Sequence, residues 1–239
     1  MTLIIGAIAK DGIVFGADSQ IQFWSGVYVK RLGERKLFSF EIPVKKTRIK
    51  FLIGGAGSIS DIQWGLSSLY QMLTINCEDI DPKELSHDFV RGIVENAIFV
   101  LHKHYNVDRY REMDINISDP DAAGFFNPIF ILGTFINEDP LLLRILPNGR
   151  SEISGTFFTA GSGSAYAELL MGLTGYSEDQ SIEEVALKVY QTIEYAESID
   201  PNVGGPIEIL ILKKNNELLR LYEEDIVEIS KTLGDKHED

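Results

Sequence analysis

The second residue of this sequence is a threonine, and its position alone suggests chemistry. Removal of Met1, which a small second residue generally permits, would leave Thr2 with a hydroxyl and a free α-amine on one residue. An α-amine titrates near ~8, about two units below a lysine, so near neutral pH it can take up a proton. A hydroxyl activated by its own amine is a recognised class of nucleophile. The plainer account is that Thr2 is an ordinary residue at the start of a strand. Nothing local to it decides between the two.

Other catalytic constellations are missing. The histidines His87, His102, His104 and His237 form neither an HExxH pattern nor a zinc spacing with cysteines. His102 and His104 stand two apart near the end of a predicted helix, where solvated side chains are the expectation. No GxSxG elbow occurs, and no glycine stretch completes a dinucleotide or P-loop pattern. Neither a metal nor a cofactor is expected.

The 239 residues are 44% apolar and 24% charged, which suits a globular chain long enough to bury a large core. The net charge of −14 repels phosphate backbones and anionic lipid alike, so neither nucleic acid nor membrane is an expected partner. One cysteine, Cys77, cannot make an internal disulfide. The apolar run 3–9 has no basic residue before it and is closed by Lys10 and Asp11. It is thus neither a signal peptide nor a membrane span, and a soluble cytoplasmic protein is expected. No repeat or linker divides the chain, so residues 1–239 are read as one domain.

The elements that must position Thr2 follow from periodicity. Residues 3–10 and 13–19 are β-rich and joined at Asp11-Gly12, a strong hairpin signal. Residues 35–42 and 48–53 make a second pair, and Gly54-Gly55-Ala56-Gly57 closes it. A helical period runs over 58–73 (Ile59, Ile62, Leu66, Leu69). A second helix is predicted from Asp81-Pro82, with Glu84 completing a capping box and Phe89, Ile93, Ala97 and Val100 on one stripe. The polar segment 103–126 reads as a surface insertion. Strands are predicted at 128–136, 141–146 and 155–160, then helices at 164–173 and 181–198, the latter capped by Ser181 with Glu184. Strands at 207–213 and 218–222, a short helix and an acidic tail over 224–239 complete the chain. Strands grouped in runs favour antiparallel sheets. Two such sheets face to face, each with an outer helical layer, make an α+β four-layer αββα sandwich that would bury every apolar face.

The opening MTLIIGAIAKDGIVFGADS resembles that of proteasome β subunits and the bacterial HslV peptidase, with its Thr-led strand, K-D-G turn and strand ending in G-A-D-S. The resemblance continues at Arg35-Lys36-Leu37-Phe38, at Gly55-Ala56-Gly57-Ser58 with Asp61, at Gly161-Ser162-Gly163-Ser164, and at Asp200 followed by Gly204-Gly205. These blocks run in the family's order over most of 2–213. The resemblance implies an N-terminal-nucleophile hydrolase with the same αββα sandwich.

It also implies roles. Thr2 matches the nucleophile, Asp18 the acidic residue ending the second strand, and Lys36 the lysine before Leu-Phe. A lysine cation near the α-amine favours the neutral amine, and Asp18 would pair with it, since an unpaired buried ammonium is costly. Gly57 matches the glycine whose N–H serves as oxyanion hole. Ser162 and Asp200 match residues that hydrogen-bond around the threonine. Ile21, Gly55 and Ile59 would line the substrate pocket, deepened by the small Gly55, with Glu34 at its floor to receive a basic side chain. Val203 stands where the family carries a serine, and 103–126 is longer than the family's connection. The implied activity is a threonine endopeptidase acting on peptide or unfolded protein, in a homo-oligomeric ring and with a possible ATPase unfoldase partner. The alternatives are a non-catalytic ring or scaffold subunit, and a transpeptidase using the same threonine.

Overall fold

Strands β1 (Leu3–Ala9) and β2 (Gly12–Ala17) are buried along their whole length, which requires cover on both faces of their sheet. The computed structural model, which describes residues 2–20, 35–108 and 126–235, supplies that cover. β1 and β2 join β8 (Phe157–Gly161), β9 (Glu208–Lys213) and β10 (Leu218–Leu221) in an antiparallel sheet of order β10-β9-β2-β1-β8. The second sheet follows chain order through β3 (Leu37–Val44), β4 (Thr47–Ala56), β5 (Ile129–Ile136), β6 (Asp139–Ile145) and β7 (Ser151–Ile153).

Helices α1 (Ile59–Cys77) and α2 (His87–His102) cover the second sheet, while α3 (Ser164–Leu173), α4 (Ile182–Ile199) and α5 (Glu223–Asp235) cover the first. The period-2 alternation of β1 sorts its side chains into two cores. Leu3, Ile5 and Ala7 pack with Val189 and Ile193 of α4. Ile4 and Ile8 lie between the sheets with Phe15, Leu52, Ile131 and Leu210. A third core joins Phe51, Ile53 and Leu132 to Ile62, Leu69 and Val94. Each such side chain, once buried, contributes about 1.5–3 kcal/mol of transfer free energy. The result is the α+β, four-layer αββα sandwich expected from the order of elements.

Several boundaries differ from the sequence expectation, each for a local reason. The helix predicted from Asp81 begins instead at His87. Asp81 caps only the short 3-10 turn Pro82–Glu84, accepting from the Lys83 N–H at 3.2 Å, and extended Leu85 then breaks the path to bury its side chain. Ser86 provides the real cap, accepting from the Phe89 N–H at 3.2 Å. Strand β3 runs on through Pro43 to Val44 because it is an edge strand, where a missing N–H breaks no ladder. Helix α1 continues four residues past Leu73, ending on Cys77, whose thiol burial pushes up to about 11.

The segment read as an insertion over 103–126 is described at 103–108 and at 126. Lys103–Asp108 continues α2 as a π-helix. Asn106 then clamps the buried Phe126, accepting from its N–H at 2.8 Å and donating to its carbonyl at 2.6 Å. His102 shares this cluster at 2.9 Å from the Asn106 amide, and burial lowers its pKa. Residues 109–125 lie outside the described residues. The three-residue strand β7 is too short for periodicity to reveal.

Candidate active site

The site starts from a pairing constraint at the head of β1. Leu3 pairs with Gly161, the last residue of β8, and this brings the backbone of Thr2 against Gly161. Gly161 has φ +103°, and a Cβ built there would land on the carbonyl oxygen of Thr2. Only glycine meets both demands. Gly161→Ala is therefore expected to cost at least about 1–3 kcal/mol from backbone strain alone, read as a lowered urea midpoint. An unchanged midpoint would mean that the head of β1 is free to move. Thr2 itself is buried.

Asp18 follows the last residue of β2 and is 1% exposed. A carboxylate this buried needs donors on both oxygens, and it has them. Oδ1 accepts from the Leu3 N–H at 2.7 Å and from Lys36 Nζ at 2.8 Å. Oδ2 accepts from the N–H groups of Gln20 and Gly204, each at 3.2 Å. One oxygen therefore joins the lysine ammonium to the peptide bond that leaves Thr2.

Lys36 immediately precedes β3 and is 5% exposed. Its carbonyl accepts from the Gly55 N–H at 3.1 Å, tying it to β4. Asp18 follows a strand of one sheet and Lys36 precedes a strand of the other, so their ion pair links the ends of strands from both sheets. Burial is the dominant influence on Lys36 and lowers its pKa below the ordinary lysine value, while the charge and hydrogen bond of Asp18 pull it up. A buried pair is a poor source of net stability. Such perturbed, paired groups cluster where function requires them.

The other residues named from sequence occupy the following places in the fold. Gly57 sits between β4 and α1, two residues beyond the Gly55 that is bonded to Lys36, and is exposed. Its φ of +142° and the approach of Pro128 to within 3.0 Å of a built Cβ leave no room for a side chain. Ile59, the first residue of α1, is 44% exposed. Gly55 is buried, and the space its missing side chain frees is taken by Ile62 at 2.8 Å and Phe130 at 3.3 Å. It is not open space, so the depth expected at Gly55 depends on how Ile62 sits. Ser162 is exposed in the turn from β8 to α3, next to Gly161. Asp200 caps the C-terminus of α4, and its Oδ1 accepts from the Asn202 N–H at 2.9 Å and from the Asn202 amide at 2.7 Å. Ile21 and Glu34 lie outside the described residues.

Val203 is buried, its Cγ2 2.8 Å from a Cβ built on Gly163, which also contacts Leu3. An apolar contact thus occupies the point where the resemblance calls for a hydroxyl.

No family model matches the chain. The proteasome subunit beta 2 of Pyrobaculum aerophilum is 25% identical over 215 residues, covering 88% of each chain. The proteasome subunit beta 1 of Pyrobaculum arsenaticum is 21% identical over 222 residues, covering 93% of this chain and 95% of its own. Among solved structures, Anbu (ancestral beta-subunit) from Yersinia bercovieri superposes with TM-score 0.67 at 18% identity over 98% of this chain and 94% of its own. A Gly-1 mutant of Anbu from Hyphomicrobium sp. strain MC1 gives 0.69 at 18% identity over 100% and 95%. The chain is proteasome β-subunit-like and has the N-terminal-nucleophile hydrolase fold.

Three contributors to the site of this proteasome β-subunit-like chain were missed by sequence reasoning. They are the amide of Gly204, the amide and side chain of Gln20, and the left-handed Gly161. Gly161 and Gly204 stood inside recognised blocks, yet no spacing rule says which carboxylate a backbone N–H 186 residues away will reach. Gln20 carried no signal beyond following Asp18 closely.

Proposed function

We propose that this chain is a threonine peptidase whose nucleophile is Thr2, exposed by removal of Met1. The observation that supports this most is the buried Asp18–Lys36 pair, anchored by one oxygen to the Leu3 amide directly after Thr2. In this reading the α-amine takes the hydroxyl proton as the oxygen attacks a peptide carbonyl. The neighbouring lysine favours the amine's neutral form. The Gly57 N–H would face the developing oxyanion. Collapse expels the amine half of the peptide with that proton and leaves an ester on Thr2. Water then releases the acid half. Ser162 and Asp200 would hold the amine and hydroxyl in place, and Ile21, Gly55, Ile59 and Glu34 would line the substrate pocket. By resemblance to proteasome subunits the chain would act in a homo-oligomeric ring in the cytoplasm, on peptide or unfolded protein, with an ATPase unfoldase as a possible partner.

The test is covalent trapping with an epoxyketone or β-lactone electrophile, read by intact mass and peptide mapping. One adduct per chain on the peptide beginning at Thr2 is expected. An assembled protein with Thr2 at its amino terminus and no adduct would overturn the reading.

The buried Val203 favours a second reading, a non-catalytic ring or scaffold subunit. It predicts assembly without any adduct. A transpeptidase would give the adduct but ligate added amines to the acyl group, which product mass distinguishes from hydrolysis.

A further inference from the structure

Gln20 lies two residues beyond Asp18 and is 5% exposed. Its backbone N–H donates to Asp18 Oδ2 at 3.2 Å. Its side-chain Nε2 donates to the Pro201 carbonyl at 3.0 Å, across 181 residues of sequence. Pro201 belongs to the loop after α4 that also carries Asp200 and Gly204. The Gly204 N–H returns to the same Asp18 Oδ2 at 3.2 Å. A Cβ built on Gly204 would stand 2.9 Å from Gln20 Oε1 and 2.6 Å from Glu197 Oε1, so the Gln20 amide and the Glu197 carboxylate close around this glycine. Glu197 Oε1 also accepts from the Gly205 N–H at 3.3 Å.

One atom of Gln20 is out of balance. Its Oε1 is buried and has no hydrogen-bond partner among the described residues. An unpaired buried amide oxygen is a cost to the folded state. A methionine of similar length would fill the volume without that cost. Packing alone therefore does not account for a glutamine here. What a glutamine adds over an apolar side chain is the Nε2 bond to Pro201.

We propose that Gln20 is a positioning residue, a strut that holds the 200–205 loop against Asp18 and so keeps the Gly204 N–H on the carboxylate. This deepens the reading of Thr2 as nucleophile and rests on it for any effect on rate. Asp18 Oδ2 receives two backbone donors, one from Gln20 itself and one from the loop that Gln20 tethers. Releasing the loop frees one of them and lets the carboxylate turn. Its other oxygen holds both Lys36 and the Leu3 amide, so the turn propagates to the ammonium and to the backbone after Thr2.

Gln20→Met, made in the full-length assembled protein, separates positioning from packing. The thermal midpoint should change little, because the unpaired oxygen goes together with the Nε2–Pro201 bond. Amide hydrogen exchange at Gly204 should accelerate about tenfold or more while that of Ile209–Leu212 in β9 stays constant, marking local release and not global loosening. The kcat for a fluorogenic peptide should fall about 10–100-fold with KM little changed, the pattern of a misplaced catalytic group. Gln20→Asn, too short to reach Pro201, should show the same accelerated exchange at Gly204 and the same fall in kcat. Unchanged exchange at Gly204 in Gln20→Met, or accelerated exchange with kcat unaltered, would overturn the proposal. The exchange arm decides on the strut even in a protein without peptidase activity, whereas an inactive wild type with Thr2 exposed counts against the nucleophile alone.

Discussion

Replacing Thr2 with alanine should abolish covalent trapping and lower peptide hydrolysis by about 10⁴–10⁶-fold, the range seen when the nucleophile of a coupled catalytic set is removed. The fold should not notice. The backbone of Thr2, which rests against Gly161, is unchanged by the substitution, and only a methyl and a hydroxyl are lost from a residue already at the head of its strand. Thermal midpoints of the two proteins should therefore agree within about 2–4 °C, since only one side chain's methyl and hydroxyl are lost. Thr2→Ser, which keeps both hydroxyl and amine, should retain trapping. Steady-state kinetics with the amino-terminal residue verified by mass is the measurement. Hydrolysis in Thr2→Ala equal to that of the unaltered chain would remove Thr2 from the chemistry.

The second large effect falls on stability. Asp18→Ala should destabilise the fold by about 3–5 kcal/mol, the cost of stripping one partner from a buried pair, against a typical total of about 5–15 kcal/mol. The substitution removes the Asp18 carboxylate from the Lys36 ammonium and from the N–H groups of Leu3, Gln20 and Gly204, all of which it serves as acceptor. Lys36→Met should cost less, because the carboxylate retains three backbone donors. That order, read from urea unfolding, is the sharp part of the expectation. Equal losses would mean that the amide bonds to Asp18 contribute nothing. Both variants should also lose trapping.

Lys36 adds a pH signature. Burial lowers its pKa from the ordinary 10.5, so between the lowered value and 10.5 the unfolded chain binds more protons than the folded one. By linkage, this residue makes stability rise with pH through that window, and its penalty is fully present below the window. Lys36→Met should remove that slope.

How much of this was legible beforehand differs by element. The strand β1 and helix α4 were readable because their periods are complete and their punctuation is local. Ser181 and Glu184 do form a reciprocal capping box, with hydrogen bonds at 3.3 and 2.9 Å. The start of α2 was misread because Asp81-Pro82 carries every local mark of a helix start, and only the burial of Leu85 diverts the chain. Gly55 looked like the mark of a deep pocket, and Ile62 from the next helix lies 2.8 Å from where its Cβ would be. In the candidate site, Thr2 stood out as a hydroxyl residue directly after Met1, and Asp18 and Lys36 by their place in the order of motifs. Gln20 and Gly204 declared nothing.

The residue types and their periods determined the layers of this protein, because apolar alternation and turn chemistry are properties of a few consecutive residues. They also singled out Thr2 as the candidate nucleophile. Only the tertiary structure decided what surrounds it. Among the described residues, the donors on Asp18 come from Leu3, Gln20, Lys36 and Gly204, at the ends of strands from both sheets and in a loop beyond α4. A hydrogen bond such as that from Gly204, 186 residues beyond Asp18, depends on register, sheet stacking and the end of a helix together. A buried carboxylate selects for that convergence because its charge cannot remain out of water with its oxygens unmet.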